Sequence, residues 1–448
     1  MKESDLTSTE FSASTSDANN GCLASRARWY PNYVLGMLAL AYVFNFIDRN
    51  ILSVLIEPIK KDLGVSDTQM GLLGGLSFAL VYCISGIPIA RWADRGSRIN
   101  VIALGVAAWS VMTMLCGFGK SFTHLLLARI GVGIGEAACT PPSHSLIADY
   151  FPPERRATAL GIYSMGGPIG VAIGFIVGGW IEYYFDWRMA FVVVGAPGIL
   201  LAIFMRVSIA EPIRGRFDKI IHEQRTASFA EVITSLASIK SFVYLQLANI
   251  LFSFAGYSLG FWTIPFFSRA HAMPLHQTAT YMAVLGMIGG VGGAYVGGRL
   301  ADGFSRRNAA WYFGIPAISL ALAAVGSLLM LGAPTALWAF TGYFVSVLFM
   351  HAYSGPIFAA IQAMVGVKMR SQAVAVHLLL SSLLGMGLGP MVVGGLSDHF
   401  VNSGFDAGSS LQRALVVVVI FELAAAGALV LGARSVSGDI KKRIASLS

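Results

Sequence analysis

Twelve stretches of predominantly apolar residues, each long enough to cross a membrane as a helix, recur along this 448-residue chain. A helix needs roughly 20 such residues to cross the hydrocarbon core of a bilayer, and it satisfies its own backbone hydrogen bonds there. Only 12% of the residues are charged, about half the share typical of soluble domains. The sequence therefore predicts an all-α membrane protein with twelve transmembrane helices, here called spans 1 to 12, at residues 31–57, 69–91, 99–118, 122–147, 157–182, 188–206, 239–268, 277–299, 309–331, 335–364, 371–397 and 411–434.

Basic residues are distributed unequally between the two ends of these spans. Because cytoplasmic connectors are enriched in Lys and Arg, an excess on one side indicates the cytoplasm. That excess lies on the side of the termini, which predicts both termini in the cytoplasm of a multi-pass protein of the plasma membrane, the inner membrane in a bacterium. The opposite side receives only Lys60, Lys61, Lys120, Arg188, Arg269 and Arg413 of the 31 Lys and Arg residues.

The longest connector, residues 207–238, divides the spans into two sets of six. ARWADRGSR after span 2 is echoed by GRLADGFSRR after span 8, as expected of two related halves. We predict two pseudo-symmetric six-helix bundles, residues 29–206 and 239–434, joined by a cytoplasmic linker. Residues 1–28 are rich in Ser, Thr and Asp without an apolar core, which indicates a disordered cytoplasmic tail. Residues 435–448 form a second cytoplasmic tail.

Glycines recur at four-residue steps in spans that occupy equivalent places in the two halves. Such rows let helix backbones approach closely, and their placement favours an interface between two bundles that move against each other. The alternative is ordinary helix packing. The rows are Gly71 and Gly75 in span 2, Gly166, Gly170, Gly174 and Gly178 in span 5, Gly289, Gly293 and Gly297 in span 8, and Gly385 and Gly389 in span 11.

Four charged residues lie inside apolar spans of the N-terminal half. Asp48 and Arg49 are adjacent in span 1, and Arg129 and Glu136 lie seven residues apart on one face of span 4. Charged side chains at membrane depth are energetically expensive and mark functional sites. Burial disfavours an ionised carboxylate, whereas a nearby guanidinium favours it. We interpret Asp48 and Glu136 as proton-coupling sites with Arg49 and Arg129 as partners; the alternative is a static ion-pair network.

The C-terminal half contains no comparable group of charges. Its polar side chains are set among Phe, Leu and Met, and a mostly apolar wall with few polar groups suits an amphipathic ligand. The histidines among them are alternatively packed residues without ligand contact. Glu422, midway along span 12, has no role that the sequence indicates. The predicted substrate-cavity residues, one of them in span 1, are Asn45, Asn249, Ser253, Tyr257, His351, Tyr353, Gln362 and His377.

Motifs typical of enzymes occur only in unsuitable contexts. A GxSxG pattern at residues 256–260 lies inside span 7, without the strand and turn that expose a nucleophile. A GKS triplet at 119–121 lacks the first glycine of a phosphate-binding loop. The basic residues form no continuous nucleic-acid footprint, and the four Cys residues lack metal or disulfide spacing. We predict a protein that is not an enzyme, binds no nucleic acid, and uses no cofactor beyond protons as coupling ion.

The repeated connector carries a recognisable signature. Its two copies resemble the GxxxDRxGRR motif of the major facilitator superfamily, although the first copy has Ala90 in place of the leading Gly. An acidic residue at a helix end can hold the opposing bundle through a basic side chain or a helix N-terminus. The resemblance implies a cytoplasmic gate; the alternative is a solvated loop that only sets topology. The predicted gate residues are Asp94, Arg95, Arg98, Asp302, Arg306 and Arg307.

Further segments narrow the resemblance within this superfamily. RIGVGIGEAACTPP in span 4 is similar to its RxxxGxG motif, and FNFIDRN, GxGEA, ADYFPPERRATALGIYSMGGPIGVAIGFIVGG and EPIRG are similar to the spinster-like lipid transporters. This implies a proton-coupled secondary active transporter that moves an amphipathic lysolipid or sphingoid substrate by alternating access. The expected partners are that substrate and the membrane lipids, and a monomer is expected.

Two other functions remain open from the sequence. Organic-anion symporters of the same superfamily share an acid–Arg pair in span 1 and an RxxxGxxEA motif in span 4. The alternative is therefore proton-coupled import of a small organic anion, with Arg49 or Arg129 binding its carboxylate. A non-transporting receptor or scaffold on the same fold is the third hypothesis, since a fold does not fix a function.

Overall fold

The computed structural model describes residues 8–217, 229–305, 307–365 and 369–445, and the regular structure within them is helical. Twelve helical segments in this part of the chain are long and apolar enough to cross a membrane, which confirms the predicted all-α fold. Spans 1 to 12 comprise Trp29–Val54, Asp67–Arg95, Arg98–Gly117, Phe122–Tyr150, Pro153–Tyr184, Trp187–Ser208, Lys240–His271, Leu275–Ser305, Trp311–Leu331, Ala336–Met364, Gln372–Asn402 and Ala407–Asp439.

Several spans are interrupted within the membrane. The breaks divide span 2 into Asp67–Gly74 and Leu76–Arg95, span 4 into Phe122–Glu136 and Thr140–Tyr150, span 5 into Pro153–Ser164 and Gly166–Tyr184, span 10 into Ala336–Ala352 and Ser354–Met364, and span 11 into Arg370–Leu380, a π-helical turn Ser381–Met386 and Gly387–Asn402. Two further helices, Ile56–Leu63 and Phe229–Ser238, lie in connectors.

The break in span 4 places Glu136 at the end of a helical segment inside the span. Pro141 and Pro142 occupy the first turn of the next segment, which begins at Thr140. Proline has no backbone N–H, so it cannot extend the hydrogen bonding of a preceding helix, whereas it suits a helix start. The sequence TPP therefore ends one helix just after Glu136 and begins another.

The helix that contains span 1 begins at Ser8, so residues 8–28, which the sequence predicts to be a disordered tail, are helical in this structure. Once a helix has formed, each added residue gains a hydrogen bond without a new nucleation step, so an adjoining polar stretch can extend it. Residues 1–7 lie outside the described residues. The helix of span 12 likewise continues to Ala445. Of the predicted linker, residues 218–228 lie outside the described part and Phe229–Ser238 is helical.

The glycine row of span 5 packs within its own bundle. A Cβ on Gly170 would lie 2.5 Å from the Val43 carbonyl oxygen of span 1, and Gly174 faces Ile47. In span 8, a Cβ on Gly293 would lie 1.9 Å from the Leu348 carbonyl oxygen of span 10. The prediction that these rows lie between the bundles is therefore wrong, because the close backbone approach that they permit is used inside each bundle.

Spans 2 and 11 do bring the two bundles together. A Cβ on Gly71 would lie 2.3 Å from the Pro390 carbonyl oxygen, and one on Gly75 would lie 2.6 Å from that of Gly387. We call the side at which span 1 begins and span 12 ends the terminal side, and the opposite side the distal side. The glycine contacts of spans 2 and 11 lie in the distal half.

Candidate functional site

The deepest part of the candidate site is the Asp48 carboxylate, which is buried between spans 1, 3 and 4. The Thr113 hydroxyl of span 3 donates a hydrogen bond to its Oδ2. Arg129 Nη1 lies 3.4 Å from both Asp48 Oδ1 and the Asp48 carbonyl oxygen. Arg129 is itself buried, and its Nε has no hydrogen-bond partner among the described residues. This pair is sealed inside the bundle.

A second ion pair joins Arg49 of span 1 to Glu136 of span 4. Arg49 Nη2 and Nε donate to the same oxygen, Glu136 Oε2, at 2.7 and 3.2 Å. Glu136 is fully buried, whereas the Arg49 side chain is 20% exposed. Asn45, one helical turn before Arg49, lies beside the Glu136 carboxylate. The break in span 4 positions Glu136 for this contact.

The four predicted coupling residues therefore form two ion pairs that connect span 1 with span 4. Arg129 and Glu136 share a face of span 4, as their spacing predicted, but each pairs with span 1 and not with the other. Thr113 was missed by the sequence reasoning, because a threonine in an apolar span carries no distinguishing pattern. Its hydroxyl donates to Asp48 Oδ2, whereas Arg129 contacts the other carboxylate oxygen, Oδ1.

Arg49 is the member of this group that faces the space between the bundles. Its guanidinium carbon lies 4.9 Å from the centroid of the Phe78 ring, 5.3 Å from Phe46 and 5.4 Å from Tyr82. Tyr257 of span 7, in the opposite bundle, is close enough to interact with it electrostatically. A cation set among aromatic rings is stabilised by their negative faces, and it stays available to an anionic ligand.

The structure separates the predicted cavity residues into two sets. Tyr257, His351 and Gln362 are exposed. Asn45, Asn249, Ser253, Tyr353 and His377 are buried.

The buried polar residues of the C-terminal bundle bond to each other across spans 7 and 11. Asn249 Nδ2 donates to the His377 carbonyl oxygen at 2.9 Å, and His377 Nδ1 lies 2.9 Å from Gln246 Oε1. The Ser253 and Ser381 hydroxyls are 2.6 Å apart. Polar groups that are buried away from water require hydrogen-bond partners. These residues find their partners inside the bundle, which accounts for their packed positions.

An ion-pair cluster that sequence reasoning missed closes the distal side. Arg269 at the end of span 7 donates to both oxygens of Asp67, each at 2.7 Å, and its Nε donates to Glu57 Oε1 at 2.8 Å. Lys60 also pairs with Asp67. Asp67 and Arg269 are almost fully buried. Since Arg269 belongs to the C-terminal bundle and its partners to the N-terminal bundle, the cluster joins the two.

Asp398 of span 11 completes this closure by capping the N-terminus of span 2. Its carboxylate accepts hydrogen bonds from the backbone N–H groups of Asp67 and Thr68, at 3.0 and 2.8 Å, and from the Thr68 hydroxyl at 2.6 Å. The first N–H groups of a helix lack partners within it and favour negative charge. We call Glu57, Lys60, Asp67, Arg269 and Asp398 the distal latch.

The predicted gate residues on the terminal side do not join the bundles. Asp94, Arg95, Asp302 and Arg307 are exposed, and among the described residues no ion pair links Asp94 or Asp302 to the opposite bundle. Arg306 lies outside the described residues.

Arg98 was also predicted to act at the gate, but it is held within the N-terminal bundle. Its Nη1 lies 2.5 Å from Asp149 Oδ2 and its Nε lies 2.7 Å from Glu211 Oε1. Arg214 donates to backbone carbonyl oxygens at the end of span 2, where the helix dipole favours a cation. The EPIRG segment therefore fastens the start of the linker to the N-terminal bundle.

The space between the bundles opens toward the terminal side. The distal latch closes the opposite end, and Trp180 Nε1 of span 5 donates to the Thr280 hydroxyl of span 8 at 3.1 Å. In the terminal half of span 2, Ile84 and Ile87 are 63% and 62% exposed. Arg49, in the distal half of span 1, lies toward the closed end of this space.

Several known transport proteins are similar to this chain in sequence. The sequence model of the Major Facilitator Superfamily matches residues 38–390. An MFS-type efflux pump of Mycolicibacterium smegmatis is 33% identical over 396 residues, which cover 86% of this chain and 88% of that protein. The sphingosine-1-phosphate transporter SPNS2 of Danio rerio is 28% identical over 54% of this chain and 49% of its own length. A probable L-galactonate transporter of Escherichia coli is 35% identical over 37% of each chain.

A solved structure of similar sequence has the same architecture. It is a bacterial homolog of the human lysosomal transporter spinster in an inward-facing, unoccupied conformation. The superposition has a TM-score of 0.84 with 34% sequence identity, and it covers 92% of this chain and 98% of that one. The likeness therefore extends over both bundles.

Proposed function

Since the chain belongs to the major facilitator superfamily, we propose that it is a proton-coupled secondary active transporter that moves an amphipathic, lipid-like substrate by alternating access. The family assignment confirms the prediction made from the repeated connector. The chain is a multi-pass membrane transporter related to the spinster proteins, which also confirms the resemblance of its span motifs. Proton coupling and a lysolipid or sphingoid substrate go beyond that relationship and are proposals.

The main support for this proposal is the two ion pairs between spans 1 and 4. Glu136 is buried, and it accepts two hydrogen bonds from the guanidinium of Arg49, which also faces the space between the bundles. A proton that binds Glu136 removes the charge that holds Arg49. Arg49 is then free to bind an anionic group of the substrate, and release of the substrate returns Arg49 to an ionised Glu136. Proton and substrate binding are thereby linked at one side chain.

Asp48 provides the second proton site in this scheme. Its 3.4 Å contact with Arg129 is long compared with the 2.7–2.9 Å of a strong charge-assisted hydrogen bond. A small displacement of span 4 against span 1 therefore changes how strongly Arg129 stabilises the ionised carboxylate. We expect a shift of span 4 against span 1 during the transport cycle to load or release a proton here.

The two ends of the central space would then open in turn. With the terminal side in the cytoplasm of a plasma-membrane protein, the structure is open to the cytoplasm and sealed by the distal latch. In the opposite state, Asp94, Arg95, Asp302 and Arg307 would hold the terminal ends of the bundles together. We propose that a monomer performs this cycle, because the latch and the charge pairs lie within one chain.

The surroundings of Arg49 support an amphipathic substrate. An anionic head group would meet the guanidinium between Phe78, Tyr82 and Tyr257, and an acyl chain would lie against apolar side chains such as Ile84 and Ile87 toward the open side. The relationship to a sphingosine-1-phosphate transporter is a further argument for a charged head group on an apolar tail.

A competition assay tests this substrate class. Purified protein in proteoliposomes is given a labelled lysolipid, and unlabelled lysolipids, sphingoid phosphates and short sugar acids are added in turn. We expect the amphiphiles to displace the label and the sugar acids to leave it bound. The opposite order would reject a lipid-like substrate while leaving the transporter assignment in place.

Import of a small organic anion with protons is the second candidate function. The partly exposed Arg49 guanidinium could bind a carboxylate directly, and a relative of this chain is a probable L-galactonate transporter. The same assay distinguishes the two candidates, because a small anion needs the guanidinium but gains nothing from an apolar wall.

Removal of Arg269 from the distal latch should shift the structure toward opening on the distal side. Breaking a buried ion pair costs about 3–5 kcal/mol, because Asp67 would keep its charge without its main partner. We expect Arg269→Gln to raise the distally open population by about 100-fold or more. Distances between spin labels at the distal ends of spans 5 and 8 report this population.

A matched control is available on the same side of the molecule. Arg188 and Asp62 also form an ion pair, at 2.7 Å, but both belong to the N-terminal bundle and both are partly exposed. Arg188→Gln should leave the distances unchanged, since exposed pairs contribute about 0–1 kcal/mol. Equal effects of the two variants would contradict a latch between the bundles.

A further inference from the structure

Glu422 is a buried acid that the transport scheme does not use. It lies in the middle of span 12 with no exposed surface. Its Oε1 lies 3.3 Å from the Ser327 hydroxyl of span 9, and its Oε2 has no hydrogen-bond partner among the described residues. An ionised carboxylate in such a position would be stabilised by one neutral hydroxyl only, and burying an isolated charge is strongly unfavourable.

Among the described residues, no ion pair joins Glu422 to a basic side chain of the surrounding helices. Spans 7, 9 and 11 pack against span 12, and span 9 contains no charged or histidine residue between Trp311 and Leu331. On span 12 itself, the nearest basic residues are Arg413 and Arg434, about 13 and 18 Å away along the helix at 1.5 Å per residue. No charged partner for Glu422 is therefore found on its own helix or on span 9.

The following titratable groups on the other helices near span 12 contact residues other than Glu422. In span 7, Tyr257 lies near Arg49, and Arg269 belongs to the distal latch. In span 11, His377 contacts Gln246 and Asp398 caps span 2. In span 10, the Tyr343 hydroxyl donates to the Met282 carbonyl oxygen of span 8, and His351 Nδ1 contacts the Val347 carbonyl oxygen.

A row of hydroxyl groups leads away from Glu422. The Ser327 hydroxyl lies 2.9 Å from that of Ser346 in span 10, and the Ser346 hydroxyl lies 3.6 Å from the Met350 sulfur. Each hydroxyl has one hydrogen to donate. If Glu422 carries a proton, it donates to Ser327, Ser327 donates to Ser346, and Ser346 donates to Met350. Every hydrogen is then used.

We propose that Glu422 is a second kind of proton-binding site, in which a permanently bound proton joins spans 12, 9 and 10 outside the transport pathway. The ligand is a single proton, and its role is structural. In the unfolded chain the exposed carboxyl is already ionised at neutral pH, whereas the folded protein retains the proton. Raising the pH therefore lowers stability through Glu422, and the contribution is largest under acidic conditions.

The test compares wild type with Glu422→Gln, whose amide can also donate to Ser327. The full-length protein in detergent is studied by infrared difference spectroscopy and by thermal unfolding from about pH 6 to about pH 9. We expect the variant to lose a C=O band of a protonated carboxylic acid. We also expect the melting temperature of wild type to fall with pH by several degrees more than that of the variant.

Three further results decide the proposal. Glu422→Gln should keep the proton-gradient dependence of transport, which separates this site from Asp48 and Glu136. If that variant fails to fold, Ser327→Ala leaves the carboxyl in place and should retain both the acid C=O band and the fall of melting temperature with rising pH seen in wild type. Equal pH dependence of melting in wild type and Glu422→Gln, or a carboxylate band in place of the acid band at neutral pH, would overturn the proposal.

Discussion

Replacing Asp48 with Asn is expected to remove the dependence of transport on an imposed proton gradient. The amide keeps the size of the side chain and a hydrogen-bond acceptor for Thr113, but it cannot bind or release a proton. A hydrogen bond to a charged group contributes about 1.5–3 kcal/mol. Because the Asn side chain cannot change between a protonated and an ionised state, gradient-driven uptake should fall about tenfold or more. Initial uptake rates in proteoliposomes, with and without the gradient, measure this.

Glu136→Gln should produce the same loss, because Arg49 would no longer be released by a proton. Asp62→Asn is the matched control, since it removes a carboxylate from an exposed ion pair on the distal side, and its coupling should remain intact. If Asp48→Asn and Glu136→Gln both retain the full gradient dependence of wild type, neither carboxylate is a coupling site.

Substitution of Arg49 by Lys is the second change with a large expected effect. Lysine keeps the positive charge but loses the planar guanidinium, which donates twice to Glu136 Oε2 and lies among three aromatic rings. Arg and Lys are not equivalent at sites of this kind. We expect the affinity for an anionic amphiphile to fall about tenfold to 100-fold, as for a lost charge-assisted contact of about 1.5–3 kcal/mol.

Binding to the purified protein, followed by tryptophan fluorescence during substrate titration, measures that affinity. Arg188→Lys provides the control, because Arg188 is partly exposed on the distal side and lies outside the space between the bundles. An Arg49→Lys variant with the affinity of wild type would exclude Arg49 as the head-group site. That result would not affect the proposed proton sites, which are tested by Asp48→Asn and Glu136→Gln.

The sequence predicts the transmembrane architecture because that architecture depends on local hydropathy. Each span is identified by its own residues, and the two repeated connectors relate the halves. For residues 8–28, a polar composition does not indicate that the helix of span 1 extends into them. The same local reasoning failed for Gly170 and Gly293, because a glycine row predicts close packing but does not identify the partner helix.

The residues of the candidate site were predicted from the sequence, but the way in which they pair was not. Asp48, Arg49, Arg129 and Glu136 were recognisable as charges in apolar spans. Which acid meets which base depends on how spans 1 and 4 are rotated against each other, and helical periodicity gives no information on that.

The distal latch could not be predicted from the sequence, because its residues lie far apart along the chain. Asp67 and Arg269 are 202 residues apart, and each looks like an ordinary charge at the end of a span. Only the packing of spans 2, 7 and 11 brings them together with Asp398. The buried positions of Asn249 and His377 were likewise decided by contacts between spans 7 and 11.

The most direct test of proton-coupled transport is whether entry of the substrate drives proton movement. Proteoliposomes that contain the purified protein and an internal pH indicator are prepared without any pH gradient, and a lysolipid or sphingoid phosphate is added outside. We predict that the internal pH changes with substrate entry in wild type and stays constant in Asp48→Asn. Substrate entry without any change of internal pH in wild type would contradict proton-coupled transport.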